Sequence, residues 1–302
     1  MTAAPATPPA KAHPSTPPDS VIVGLIGAGI QASRTPAMHE READAQGLRC
    51  IYRLIDLDRL GLGADALPEL LTSAERMGFT GLNITFPCKQ AVIPLLDDLS
   101  DDARAIGAVN TVVFRNGRRI GHNTDCSGFA AGFRDGLPAV PRDRVVLLGA
   151  GGAGAAVGHA ALQLGAGRVT VVDADPRRAE ALAGQLDARF GAGRAAAASD
   201  LAAAMAAADG LIHATPTGMA KFPGLPLPAE QLHGGLWVAE IVYFPLETAL
   251  LREARARGCR TLDGGGMAVY QAADAFRLFT GTEPDAARMR RHFLSMDAQN
   301  QG

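Results

Sequence analysis

The chain is poor in cysteine, poor in lysine and free of long apolar runs, and each shortage excludes something. Four cysteines, Cys50, Cys88, Cys126 and Cys259, are scattered without a C-x-x-C pair. A disulfide framework or a zinc cluster is therefore not expected, and no other metal-ligand constellation is visible. No apolar stretch approaches membrane-spanning length without Gly, Pro or charge, so no membrane partner is expected. Neither sign of charge dominates: 29 basic residues stand against 31 acidic ones, a net charge of −2. That balance argues against nucleic acid as a partner. A sequence repeat of about 20 to 50 residues is also missing, which excludes a solenoid.

What remains is an ordinary soluble composition. The chain has 302 residues, 47% hydrophobic and 20% charged, enough for one large domain or two of ordinary size with a substantial core. Residues 1–20 carry six prolines among Ala, Ser and Thr. They lack the apolar core of a signal peptide and contain no arginine, so a cytoplasmic location is expected. The stretch cannot bury enough surface to offset its ordering entropy and is expected to be a disordered tail.

After the tail the pattern alternates strand and helix. Strands are expected at 21–26, 50–56, 79–85, 109–114 and 118–122, the last two joined by the hairpin signal Asn116-Gly117. Helices are expected at 36–46 and 68–77, with a short one opened by Pro87. After Asp125 a linking helix leads to a second alternating region. Its strands are expected at 144–148, 169–172, 210–214 and 236–241, its helices after Gly154 to about 163 and at 176–190, 195–208 and 248–257. Two more helices, 267–279 and 284–294, follow Gly264-Gly265-Gly266. Such alternation predicts an α/β fold with a parallel sheet covered on both faces.

The motif Gly149-Ala150-Gly151-Gly152-Ala153-Gly154 lies between an expected strand and helix. The first glycine makes the tight turn, Gly151 lets backbone approach a pyrophosphate, and Gly154 lets helix pack close to strand. The helix N-terminus then faces the phosphates. Asp173 ends the next strand, nineteen residues after Gly154. It could accept both hydroxyls of an adenosine ribose and would repel a 2′-phosphate, which points to NAD as cofactor. Arg177 and Arg178 follow closely and keep NADP open. Gly27-Ala28-Gly29 is a second glycine turn without a third glycine at the fingerprint spacing, and is not read as a dinucleotide site.

Lysine is the other clue. Only Lys11, Lys89 and Lys221 occur, and an ammonium can give up a proton where a guanidinium cannot. Lys11 is in the tail, and Lys221 reads as surface near the cofactor. Lys89 sits in Asn83-Ile84-Thr85-Phe86-Pro87-Cys88-Lys89, where strand meets helix. A second polar cluster is His122-Asn123-Thr124-Asp125, in which Asp125 could simply cap a helix. A third is Ala108-Val109-Asn110-Thr111. Asn83, Thr85, Lys89, Asn110 and Asp125 would all suit a polyol or a carboxylate, but spacing alone does not bring them together.

Together these segments resemble the shikimate/quinate dehydrogenase family. The matching motifs are Ser33-Arg34-Thr35-Pro36-Ala37-Met38-His39, Gly81 to Lys89, Gly107 to Thr111, Asn123-Thr124-Asp125 and Gly149 to Gly154. They continue with Ala214 to Met219, Tyr243-Phe244-Pro245 and Gly266-Met267 to Gln271. The resemblance implies two α/β domains: a substrate-binding domain at 21–125 and a Rossmann-type doubly wound domain at 126–263. It also implies that the C-terminal helices, 264–302, return to the first domain. It implies Lys89 and Asp125 as a proton-transfer pair, and Ser33 and Thr35 as holders of the substrate carboxylate. Asn83, Thr85, Asn110, Asp125, Tyr243 and Gln271 would face the ring. Gly149, Ala150, Gly151, Gly152, Ala153, Gly154, Asp173, Arg178, Thr215 and Gly266 would hold the cofactor.

Several positions depart from the family pattern. Thr35 stands where strict shikimate enzymes more often have Ser, Cys126 where Gly is common, His213 where Asn is usual and Glu240 where Asp is common. The basic motif of NADP-using members is replaced by Val172-Asp173-Ala174-Asp175. The expectation is thus an NAD-dependent quinate/shikimate dehydrogenase with a small ring acid as partner, and a homodimer is compatible with it. An NADP-dependent biosynthetic shikimate dehydrogenase is the nearest alternative. A catalytically silent NAD or ring-acid binding protein is the other, and the complete Lys/Asp pair argues against it.

Overall fold

The computed structural model describes residues 20–299, with side chains through residue 296. The tail expected at 1–20 lies, except for its last residue, outside the described residues. The described chain forms two six-stranded sheets. The first contains β1 (Ser20–Gly27), β2 (Arg49–Asp56), β3 (Gly81–Ile84), β4 (Asp98–Leu99), β5 (Thr111–Arg115) and β6 (Arg118–His122). Its helices are α1 (Thr35–Ala45), α2 (Leu57–Leu60), α3 (Leu67–Arg76), α4 (Cys88–Ala91) and α5 (Asp101–Ile106). The strand order is β2-β1-β3-β5-β6-β4, with β1 parallel to β2 and β3 and with β5 antiparallel to both its neighbours. Asn116 (φ 53°) and Gly117 (φ 70°) turn the β5–β6 hairpin with two left-handed residues, the conformation a two-residue hairpin needs.

α6 (Thr124–Gly136) carries the chain to the second sheet. That sheet contains β7 (Arg144–Leu148), β8 (Arg168–Val172), β9 (Ala195–Ala197), β10 (Gly210–His213), β11 (Trp237–Glu240) and β12 (Arg260–Leu262). All its pairings are parallel, in the order β12-β11-β10-β7-β8-β9. Helices α7 (Gly152–Gln163), α8 (Pro176–Phe190), α9 (Leu201–Ala206) and α10 (Ala249–Ala256) connect the strands. Apolar clusters cover both faces: one joins Phe129, Val157 and Leu186 to Val145 and Ile212, the other joins Met205 and Leu250 to Val146 and Leu211. This is a doubly wound sheet in which the order of strand addition reverses at β7.

α11 (Gly265–Thr280) and α12 (Ala286–Gln299) return to the first sheet. Phe276 and Phe279 of α11 flank His39 of α1, and Arg115 of β5 bonds the Leu278 carbonyl. α11 also crosses α6 at close range. A Cβ at Gly128 would lie 2.7 Å from the Gln271 nitrogen, and Gly132 faces Gly266 and Met267. Glycine on α6 is what allows that approach.

Two local expectations are corrected. The alanine run 195–208 is not one helix: Ala195–Ala197 form β9, and Asp200 then caps α9 by accepting from the Ala203 N–H. Pairing with β8, with Val169 opposite Ala195, outweighs alanine's helix propensity. Asp125 does not cap α6. Asn123 does, accepting from the Cys126 N–H, which leaves the Asp125 carboxyl in the first turn free for another partner.

Candidate active site

The site is assembled where α4 and the start of α6 meet the glycine turn of the second sheet. Lys89, in α4, reaches Asp125, in the first turn of α6, with Nζ 2.5 Å from Oδ2. Their side chains are 19% and 10% exposed, so the pair is largely withdrawn from water yet open on one side. The lysine stem also lies against the second sheet: a Cβ at Gly152 would sit 3.5 Å from Lys89 Cδ. One residue therefore touches both the polar cluster of the first unit and the glycine turn of the second.

Sheet register gathers the amides. Asn83 and Thr111 are partners across β3 and β5, and Asn83 Nδ2 donates to Thr111 Oγ1 (3.0 Å) and to the Asn110 carbonyl (3.3 Å). Asn83 Oδ1 accepts from Tyr52 Oη at 2.7 Å. Burial pushes the Tyr52 phenol well above its ordinary pKa, so it stays a donor. Asn110 donates to Thr124 Oγ1 and accepts from Thr111 Oγ1 and the Thr124 N–H. By this accounting one Asn110 N–H and one Asn83 oxygen lone pair are left for a ligand. Tyr52 was not singled out from the sequence, because on an alternating strand it reads as core.

Ser33 and Thr35 lie at the start of α1, Ser33 Oγ accepting the Thr35 N–H at 3.3 Å. Thr35 connects back to the amides: its carbonyl meets His39 Nδ1 at 3.0 Å, and His39 packs on Tyr52 at 5.0 Å between ring centroids. Burial lowers the His39 pKa to about 4, against the opposing Thr35 bond. Between Ser33 and Thr35, Arg34 is stacked 5.0 Å over Phe293 and 5.5 Å over Phe244. Thr85 follows β3 and fills the space over Gly27, where a Cβ would be 2.2 Å from Thr85 Cγ2. Tyr243 follows β11 with its ring 6.4 Å from Phe293. Desolvation raises its phenol pKa, the Asp125 charge adds to that and Arg34 opposes it. Gln271 projects from α11 beside Gly128, its amide donating to the Ala268 carbonyl.

The glycine turn has the form a pyrophosphate requires. Gly149 has φ 108°, and a Cβ there would strike the Ala214 carbonyl at 2.7 Å. A Cβ at Gly154 would lie 2.0 Å from the Gly149 carbonyl, so only glycine lets α7 start so close to the turn. No side chain caps α7, and Gly151, Gly152 and Ala153 lead directly into its first turn. These bare N–H groups fit an anionic cofactor. Asp173 Oδ2 accepts the Ala150 N–H at 2.7 Å and Oδ1 the Asp175 N–H at 2.9 Å. Arg178 is exposed and reaches over Gly151, 3.3 Å from where a Cβ would be, while Arg177 turns to Asp175. Thr215 packs its methyl against Gly149, 3.1 Å from a Cβ there. Gly266 meets Gly132 at the α6–α11 crossing. Lys221 is exposed in the loop after β10 and approaches Gly29 of the first unit.

Comparison with known proteins matches this architecture. The model of the shikimate dehydrogenase substrate binding domain matches residues 25–112, and that of the shikimate 5'-dehydrogenase C-terminal domain matches 264–292. The alanine dehydrogenase/PNT C-terminal domain model matches 118–228. A shikimate dehydrogenase (NADP(+)) of Streptomyces avermitilis is 67% identical over 90% of this chain and 94% of its own length. A quinate/shikimate dehydrogenase (NAD(+)) of Corynebacterium efficiens is 51% identical over 92% and 99%. The solved quinate dehydrogenase from Corynebacterium glutamicum in complex with NAD superposes with a TM-score of 0.86 at 50% identity, covering 91% of this chain and 99% of that one. The chain belongs to the shikimate dehydrogenase family.

Proposed function

We propose that this family member oxidises a ring hydroxyl of quinate and shikimate with NAD as cofactor, Lys89 and Asp125 moving the hydroxyl proton. The observation that carries this reading is the placement of Lys89. It is paired with Asp125 at 2.5 Å and packed against Gly152 of the glycine turn, so the proton pair and the dinucleotide cradle share one boundary. The cofactor, when bound, supplies the hydride acceptor. The chain's own residues bind, orient and move the proton. Ser33, Thr35 and the N-terminus of α1 take the ring carboxylate. The free Asn110 N–H and Asn83 lone pair, with Thr85, Tyr243 and Gln271, fix the remaining hydroxyls. Asp125 orients the hydroxyl, and Lys89, as the free amine, accepts its proton.

Asp173 supports NAD. Its carboxyl faces the turn from the end of β8 and holds only two protein hydrogen bonds, leaving acceptor capacity for ribose hydroxyls. NADP is the second reading. Arg178 above Gly151 favours it, as does the NADP(+) in the name of the Streptomyces relative. Initial rates in a two-by-two assay, quinate or shikimate with NAD or NADP, separate the two. NADH formation from both acids is expected. Activity confined to NADP and shikimate overturns the reading of Asp173 and Thr35. Lys89→Ala is expected to lower kcat by about 10²- to 10⁴-fold, the span of general acid–base catalysis, with an unchanged melting curve. Near-normal turnover would remove Lys89 from the mechanism.

A further inference from the structure

A chain of four polar side chains, three of them buried, runs from the core of the second sheet to its carboxyl edge. Parallel register places His213, the last residue of β10, beside Glu240, the last of β11. Both side chains are fully buried, and His213 Nδ1 lies 2.8 Å from Glu240 Oε1. Glu240 Oε1 also takes the Val242 N–H at 3.0 Å, and Oε2 takes Thr248 Oγ1 at 3.1 Å. Thr248 Oγ1 in turn accepts the Leu251 N–H as the cap of α10, so its own hydrogen is directed to Glu240. At the other end His213 Nε2 lies 2.6 Å from Thr215 Oγ1. Replacing such a buried pair with apolar side chains would cost little stability and often gains some. The pair does, however, orient what it bonds.

With two donors already on the Glu240 carboxyl, the network puts the His213 proton on Nδ1, facing Glu240. With a neutral imidazole, Nε2 is then an acceptor, and the Thr215 hydroxyl hydrogen is committed to it. One Thr215 oxygen lone pair receives the Thr217 N–H at 3.3 Å. The other has no partner among the described residues and belongs to a half-buried residue packed on Gly149. The strand order decides what it meets. β8 and Asp173 lie on one side of the β7 turn and β10 on the other, so a dinucleotide with its adenosine at Asp173 carries its nicotinamide ribose past Thr215. We infer that His213 and Glu240 are positioning residues that lock Thr215 as a hydrogen-bond acceptor for a donor on the nicotinamide-ribose half of the cofactor. This rests on the dinucleotide reading given above.

Calorimetric titration of the full chain with NAD, NADP and ADP tests it, because ADP carries the adenosine and pyrophosphate but no nicotinamide ribose. Thr215→Val is expected to weaken binding of the preferred dinucleotide about tenfold, the worth of one hydrogen bond, and to leave ADP binding within about twofold. Thr215→Ser should restore most of the loss. Glu240→Gln keeps the volume but accepts either His213 tautomer, and is expected to give a smaller loss with the same selectivity. Unchanged dinucleotide affinity in Thr215→Val and Glu240→Gln overturns the proposal, and so does an equal loss for ADP. A wild-type chain that binds neither dinucleotide overturns the functional reading and this one with it.

Discussion

Two glycine turns, Gly27-Ala28-Gly29 and Gly149-Ala150-Gly151, have the same sequence and nearly the same setting. Each follows the first strand of a parallel array, and each is met by an aspartate at the end of the neighbouring strand. Asp56 takes the Gly29 N–H at 2.9 Å and Asp173 takes the Ala150 N–H at 2.7 Å. The surroundings then diverge. Asp56 also receives the Ile30 and Asp58 N–H groups and the Gln31 amide, so its acceptors are used by the protein. The space over Gly27 is taken by Thr85, and α1 begins only at Thr35. At the second turn α7 begins at once, uncapped, and Asp173 keeps acceptor capacity. A glycine turn and an acid are thus common strand-end chemistry. What fits one of them to an anion is the helix that starts directly from it, with Gly154 to let it close.

The comparison can be broken at each turn. The largest expected effect is from Gly154→Ala, whose methyl would lie 2.0 Å from the Gly149 carbonyl. Displacing α7 should weaken ADP and dinucleotide binding by about tenfold to a hundredfold, matching an overpacking cost of about 1–3 kcal/mol; unchanged ADP affinity by calorimetry would contradict the cradle. Gly27→Ala at the first turn meets Thr85 at 2.2 Å and should raise the KM for the ring acid about tenfold while leaving ADP affinity unchanged. Equal effects of the two substitutions on ADP would erase the distinction.

Asp56→Asn sharpens it further. An amide cannot accept four hydrogen bonds, so at least one buried N–H loses its partner, at about 1–3 kcal/mol. A fall of a few degrees in Tm is expected, with cofactor affinity intact, measured by thermal unfolding with and without NAD. Asp173→Ser, which gives up the half-buried Ala150 bond, should cost less Tm than Asp56→Asn and lower the preference for NAD over NADP about tenfold, read from kcat/KM for each cofactor. The smallest effect is on pH dependence. Burial alone would raise the Asp56 pKa, but the hydrogen bonds led by Gln31 and Gly29 outweigh it and hold the carboxyl below its ordinary value. Its stabilisation is therefore complete above about pH 4, the unfolded carboxylate value, and lost as pH falls through the lower folded value. The acid loss of stability should be shallower in Asp56→Asn than in wild type; identical pH profiles would show that those bonds contribute nothing.

Long periodic segments were legible in the sequence. The strand at 144–148 and the helix at 176–190 stand where the pattern placed them, and the Asn116-Gly117 turn has the dihedrals its residues favour. Of the short pieces, the helix after Pro87 was read from its proline, but β4 has two residues, α2 four and β12 three, too few to show a period. β9 was hidden in an alanine run because alanine carries no strand signal, and only pairing with β8 makes it one. The glycine turn could be read because its chemistry is contiguous. The polar cluster could be listed but not joined, and His213 and Glu240 were visible only as departures from a pattern.

By itself, then, the sequence determined the alternation of strand and helix, the glycine turn and the polar residue types on offer to a site. All of these depend on neighbours a few residues apart, where backbone geometry is local. The tertiary structure decided which of those residues meet. Lys89 reaches Asp125 across 36 residues, Asn83 reaches Thr111 across 28 and His213 reaches Glu240 across 27. Strand register and the packing of α6 under α11 set those encounters, and they are fixed only when the whole chain has closed around its cores.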